Sequence, residues 1–354
     1  MTLDGLIKAL HQIDKIRFRP KLIYKIARGY FRTLIMRRPT LRIIEFSITP
    51  ACQSRCGYCY ASKFARPGQK ILTLDEIRDI WGQAKQMGAI GVQILGGEPT
   101  LHPRFLDIMR IFEPRDHIVT LVTNAISLTE EMVIELKRMG VFLVYVSMNS
   151  LDAGVNDSIR GYDGHLEHAL KAIDSCKKHG MDVAVPITTS NELLPETLGL
   201  LNFARKRGLQ ATINLFAPVG RGEGNEKAVF SPDFWKQLRR LYRANPGLRG
   251  DWDVNFSLRV GCPSGYEKVH IAPYGDVTGC SIQPVGFGNV REESLAAIIA
   301  RMRSFRHYAK RAPNCIVAVD PEYIGDYVDT AQAFSSTPYP VQANPKYAAD
   351  SQAH

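Results

Sequence analysis

The chain has 354 residues, 45% hydrophobic and 23% charged, with a net charge of +10; it has room for one large domain or two ordinary ones and the composition of a water-soluble enzyme. No apolar run reaches the roughly 18–20 residues of a membrane span, and the charges in MTLDGLIKALHQIDKIRF do not fit a secretory signal. Seven cysteines, an odd number, then point to a reducing, cytoplasmic setting in which metal or catalytic roles outweigh disulfides.

The first 45 residues hold eleven Lys/Arg against three acids, so the positive charge belongs mainly to this segment and not to the body of the protein. From Pro20, PKLIYKIARGYFRTLIMRR sets Leu22, Ile23, Ile26, Ala27, Tyr30, Phe31, Leu34 and Ile35 on one side of a helix, and Lys21, Lys25, Arg28 and Arg32 on the other. Such a basic amphipathic helix suits peripheral contact with the inner membrane surface, and with it a lipid or isoprenoid substrate. The alternative is a helix packed on the body with a solvated basic face. Nucleic acid is not expected, because aromatic and basic residues do not interleave in the body.

Six strand-like runs follow: RIIEFSIT from Arg42, IGVQILGG from Ile90, HIVTLVTN from His117, VFLVYVSM from Val141, DVAVPITT from Asp182 and QATINLFAPV from Gln210. They are rich in Val, Ile, Leu and Thr with little alternation, as strands covered on both faces are. The stretches between them carry helix ends. TLDEIRDIWGQAKQMG opens with Thr73 and Glu76 at capping-box spacing, and successive helices close at Gly88, Gly140, Gly180 and Gly208. Strand, helix, glycine, strand is the pattern of parallel βα units, here an α/β (β/α)6 partial TIM barrel over residues 42–225. Residues 1–41 form the basic helical segment. After the Gly-rich NLFAPVGRGEGNE come one more helix, SPDFWKQLRRLYRA, and hairpin-like sequence from Val254 to about Asn289, read as a small second domain over 226–325. The Pro/Ala-rich residues 326–354 read as a flexible tail.

The residues with chemistry fall after successive strands, on the face where parallel α/β folds place their sites. The loop after the first strand reads CQSRCGYCY, with Cys52, Cys56 and Cys59 able to converge on one metal centre. A structural zinc site takes four ligands, and the next histidine is His102. Three thiols on so polar a loop would also make poor core. A [4Fe–4S] cluster normally takes four cysteines, so three leave one iron open. The loop after the second strand, GGEPTLHP, carries Gly96 and Gly97, which let backbone approach a ligand closely, and Glu98. Asn124 follows the third strand; Ser147 and Asn149 end the fourth. Each alone is an ordinary turn residue, but together they point polar groups to one side.

CxxxCxxC with an aromatic before the third cysteine, followed by GGEP and TN, resembles the radical S-adenosylmethionine (radical SAM) superfamily over residues 42 to about 220. The resemblance implies that Cys52, Cys56 and Cys59 hold a [4Fe–4S] cluster whose open iron is chelated by SAM. It places Tyr58 near the adenine, Glu98 at the SAM amino group, and Asn124 and Ser147 at its methionine or ribose part. It further implies reductive cleavage of SAM to a 5′-deoxyadenosyl radical, hydrogen abstraction from a substrate, and a flavodoxin- or ferredoxin-like reductant. The competing reading is an iron–sulfur electron carrier or scaffold, which has no need of GGEP and TN beside its cysteines.

A second constellation is Cys262, Cys280 and Cys315. Cys262 and Cys280 flank a turn at Gly275, and this region resembles the auxiliary-cluster domain of radical SAM enzymes in its shorter twitch form, since only Cys315 stands where the SPASM form carries many cysteines. It implies one auxiliary iron–sulfur cluster on three cysteines, assisting oxidation or binding substrate, in lipid or natural-product (including peptide) biosynthesis. Cys176, inside a helix among Ala169, Ala172 and Ile173, reads as core. No residue stands out as the catalytic acid or base.

Overall fold

The computed structural model describes residues 19–36, 38, 40–224, 230–244, 248–250, 261–309 and 312–351. Its six parallel strands are β1 (Ile43–Ser47), β2 (Gly91–Leu95), β3 (Ile118–Thr123), β4 (Leu143–Val146), β5 (Val183–Thr189) and β6 (Gln210–Leu215), and each pairs with the next in register. The sheet continues at both ends. β7 (Arg249–Gly250) adds to β6, and β8 (Lys268–Ile271) runs parallel to β1, with β9 (Val277–Thr278) antiparallel beside it. Outside it lie α1 (Pro20–Tyr30), α2 (Leu74–Gln86), α3 (Phe105–Ile111), α4 (Glu130–Met139), α5 (Ala153–Arg160), α6 (His165–Lys178), α7 (Leu194–Arg207), α8 (Pro232–Ala244) and α9 (Leu295–Ser304).

The strand residues that face the helices form the core. Phe46 of β1 meets Phe112, which in turn packs edge-on against Trp81 of α2. The capping box is present: Glu76 N–H donates to Thr73 Oγ1, and Thr73 N–H donates to Glu76 Oε2. This is a partial TIM barrel carrying a small C-terminal domain. The second domain does not stand apart, because β7 extends the barrel sheet along β6 and β8 extends it along β1. The boundary expected near residue 225 falls at residues 225–229, and the start of the hairpin region at 251–260; both lie outside the described residues.

Two expectations change. Residues 326–351 are not a loose tail: Tyr327, Tyr339 and Val341 are enclosed, Tyr339 pairs its strand with Val285–Gly286, and the Tyr339 hydroxyl donates to the Tyr327 carbonyl. Their Pro/Ala-rich composition hides an aromatic layer in which Phe305 packs edge-on against Tyr327 and Phe334 stacks on Tyr339. In α1 the basic side is not simply solvated. Leu22 is buried, Arg19 donates to the carbonyls of Pro114 and Gly140, and Lys25 donates to Asp116 O and meets His117. Phe31 and Ile35 of the apolar side are exposed instead, as are Tyr24 and Met36, Tyr24 by 66% and Ile35 by 69%.

Burial also sets a pH dependence. His165 and His270 are enclosed, and desolvation, helped by Arg160 and Lys268 respectively, pulls each pKa down to about 3. Each takes up its proton only on unfolding, so stability is full above pH ~7 and falls as pH drops from about 6.5 towards 3, by at most about 1.4 kcal/mol per pH unit and histidine. Thermal unfolding of the iron-free protein between pH 8 and 5 should show this slope, and the double substitution His165→Gln, His270→Gln should flatten it.

Candidate active site

The cysteine loop is held from three sides by backbone bonds. Gly97 and Glu98 N–H donate to the carbonyls of Thr49 and Ala51 at 2.7 Å each. Arg55 and Gly57 N–H donate to Arg160 and Ile159 at the end of α5, at 3.0 and 3.1 Å. Arg221, beyond β6, donates its N–H to Cys59 O at 3.2 Å. Gly96 and Gly97 are also required by contacts within the protein. A Cβ at Gly97 would fall against the carbonyl oxygens of Ala51 and Pro50, and one at Gly96 against Thr49 O. The close approach is between two loops of the protein.

Cys52 is exposed, Cys59 half-buried and Cys56 buried. Asn124 Nδ2 lies 3.6 Å from Cys52 Sγ, and Arg160 Nη1 lies 3.8 Å from Cys56 Sγ. Burial first, then the neighbouring thiol Cys56, pushes the Cys59 pKa up to about 11; for Cys52, which keeps an open side, desolvation by the surrounding loops, with Glu98 and Cys56 adding, raises the pKa. The three thiols thus feel one another in a place hostile to bare thiolates, which suits ligands whose charge is balanced by bound iron. Among the described residues no group of three or more His, Cys, Asp or Glu side chains closes to the spacing of a single ion. A [4Fe–4S] cube, with its cysteines on separate irons, asks for a wider spread. The donor chemistry, three thiols on one loop, is that which a [4Fe–4S] cluster takes.

Glu98, expected to meet a ligand, has no exposed surface. Its Oε1 accepts from Thr100 N–H, Thr100 Oγ1 and Thr123 Oγ1, and its Oε2 accepts from Asn124 N–H at 2.7 Å. The carboxylate is occupied in tying the β2 loop to the end of β3. Asn124, only 7% exposed, donates Nδ2 to Gln53 Oε1 and Ser54 Oγ at 3.2 and 3.3 Å, bracing the cysteine loop. Ser147 is half-buried at the end of β4, its N–H bonded to Thr123 O. The Tyr58 hydroxyl donates to Asn149 Oδ1 at 2.6 Å, and Asn149 N–H donates to Asn156 Oδ1 at 2.9 Å.

Arg160 is the residue the sequence reading missed. It is 7% exposed, its guanidinium carbon lies 5.8 Å from the Tyr58 ring centre, and its Nε has no hydrogen-bond partner. Among the described residues no carboxylate pairs with it. The available signal was Arg160–Gly161 ending a short helix just after the fourth strand: Gly161 has φ +59° and packs on Arg55 O, so this helix end clasps the cysteine loop.

Cys262, Cys280 and Cys315 gather at the far side of β8. Cys262 N–H donates to Ala312 O at 2.7 Å, and Cys262, Ser264, Tyr308 and Ile316 line a small cavity. Cys280 is enclosed and its pKa is raised, chiefly by burial, with contributions from Glu45, Cys315 and Cys262. Gly275 makes the β8–β9 turn with φ +96°, as expected. Burial first, then Cys59, Glu45 and Cys280, raises the pKa of Tyr60, a residue near both groups.

The family model of the radical SAM superfamily matches residues 46–204, and that of SPASM, an iron–sulfur cluster-binding domain, matches residues 262–316. The chain belongs to the radical SAM superfamily. Radical SAM proteins bind a [4Fe–4S] cluster and SAM, and the SPASM domain binds auxiliary iron–sulfur clusters. The matching C-terminal model is SPASM and not the shorter twitch form, although this radical SAM chain carries a single cysteine, Cys315, at the end of that match. Among curated relatives, the AdoMet-dependent heme synthase of Methanosarcina barkeri is 25% identical over 293 residues, 75% of this chain and 84% of that one. The mycofactocin maturase MftC of Mycobacterium tuberculosis is 28% identical over 260 residues, 72% of this chain and 60% of its own. Streptococcus suis SuiB bound to precursor peptide SuiA shares the fold at a TM-score of 0.60 and 16% identity, covering 84% of this chain and 70% of that one.

Proposed function

We propose that this radical SAM enzyme holds its SAM-binding [4Fe–4S] cluster on Cys52, Cys56 and Cys59 and an auxiliary cluster on Cys262, Cys280 and Cys315. The observation that carries the reading is the cysteine loop itself, clamped from three sides so that three thiols share one strand-end mouth. When bound, the first cluster and SAM supply a 5′-deoxyadenosyl radical that removes a substrate hydrogen atom, and the auxiliary cluster supplies an electron acceptor or a substrate-binding iron. Arg160, a buried cation beside Cys56 and Tyr58, receives the SAM carboxylate. Tyr58, fixed by Asn149, walls the adenine site, and Ser147 lines it. Glu98 and Asn124 hold the loops in register.

Relatives named for heme synthesis and mycofactocin maturation support a biosynthetic role. The setting we assign is cytoplasmic, and the exposed side of Cys52 is where a flavodoxin- or ferredoxin-like reductant would approach. The decisive experiment is anaerobic reconstitution with iron and sulfide, then SAM and a strong reductant, with 5′-deoxyadenosine measured. Fully loaded protein that makes none is an electron carrier or scaffold.

The exposed Tyr24, Phe31, Ile35 and Met36, beside exposed Lys21 and Arg28, support peripheral contact of α1 with an anionic membrane. Flotation with anionic liposomes should recover the full-length protein, and Phe31→Ser with Ile35→Ser should reduce recovery severalfold. Equal recovery assigns this helix to packing alone.

A further inference from the structure

β1 and β8 lie side by side, and between them runs a polar seam inside the protein. Glu45 and Lys268 are 4% and 6% exposed, and Lys268 Nζ stands 2.9 Å from Glu45 Oε1. The other carboxylate oxygen, Oε2, accepts the Ser281 N–H at 2.6 Å. A second chain runs from Ser47 Oγ to His270 Nε2 at 2.8 Å, and from His270 Nδ1 to Thr278 Oγ1 at 3.1 Å. It ends where the Thr278 hydroxyl donates to Cys280 O at 2.7 Å. The Cys280–Ser281 peptide is thereby gripped at both its C=O and its N–H by the seam between the two strands.

An enclosed ion pair is weak evidence for stability, because desolvation offsets its attraction and apolar residues fill such a seam as well. Its two charges are nevertheless shielded from salt, and Glu45 holds the N–H of the residue that follows Cys280. A cluster that gains or loses one electron responds to fixed charge and to hydrogen bonds around its cysteines.

We propose that the buried Glu45–Lys268 pair sets the reduction potential of the auxiliary cluster, Lys268 raising it and Glu45 lowering it. This rests on the assignment of Cys262, Cys280 and Cys315 to that cluster. Both residues are positioning and tuning groups and touch no substrate.

The test is a potentiometric titration of the reconstituted full-length protein with EPR detection, in the wild type, Lys268→Met, Glu45→Gln and Lys268→Arg. The auxiliary midpoint should fall in Lys268→Met, rise in Glu45→Gln and stay near wild type in Lys268→Arg, with the SAM-cluster midpoint unmoved throughout. A pair that only braces the fold would change thermal stability or iron content without moving the midpoint in opposite directions. If Lys268→Met sheds the auxiliary cluster, Glu45→Gln alone carries the sign, and an unmoved or lowered midpoint there overturns the proposal. Shifts of one sign in both variants, or none, overturn it as well. A wild type with about four irons and one midpoint, in place of about eight irons and two, overturns the underlying assignment, and that is visible before any variant is made.

Discussion

Cys52→Ala should reduce 5′-deoxyadenosine formation by the reconstituted protein to background and remove about four irons per chain. Cys52 is the exposed member of the three, so its replacement leaves no hole in the core, and Asn124 still bonds Gln53 and Ser54 to hold the loop. The loss is therefore chemical, two thiolates being too few to hold the cluster. Two controls separate this from general damage. Cys176→Ala removes a thiol packed in α6, whose pKa burial raises to about 12, and should cost about 1 kcal/mol of stability with product formation unchanged. Cys280→Ala should leave uncoupled SAM cleavage in place while removing the auxiliary irons. Product formation by Cys52→Ala at wild-type level would refute the assignment.

Gly97→Ala should be nearly as damaging without touching a ligand. The new methyl group would fall against the carbonyl oxygens of Ala51 and Pro50, which are backbone and have nowhere to swing. Either the cysteine loop or the β2 loop must move, and the bonds from Gly97 and Glu98 N–H to Thr49 and Ala51 break with it. We expect about 3 kcal/mol of lost stability and poor iron uptake, read by thermal unfolding of the iron-free protein and by iron analysis. Gly57→Ala is the control, since nothing lies within 4 Å of its added Cβ. A Gly97→Ala protein with native stability and full iron would refute the packing explanation.

The six barrel strands are legible in the chain because strands covered on both faces carry unbroken apolar runs and the helices between them end at glycine. The first cysteine group is legible because three thiols on a polar loop have no structural excuse. What stays hidden depends on contacts rather than pattern. Arg160 looks like any basic residue near a helix end until burial shows it beside Cys56, with no carboxylate among the described residues to meet it. Glu98 reads as a ligand group, yet the donors from Thr100, Thr123 and Asn124 close over it. β8 is four residues long and joins β1 only after a very long connection, so nothing local announces the pairing. The C-terminal aromatics are diluted among Pro, Ala and Ser, and composition alone gives no hint that Tyr323 and Tyr327 stack.

The pairing of β8 with β1 has a consequence for modularity. A fragment ending before residue 261 would leave one flank of β1 as a bare strand edge, the kind of surface that recruits other chains and aggregates. The cysteine loop grows out of that same strand. Grafting the C-terminal region of one relative onto the barrel of another therefore succeeds only if the graft brings a strand that knits to β1 in the same register. The separation of the two proposed cluster sites is thereby tied to the register of β8 on β1.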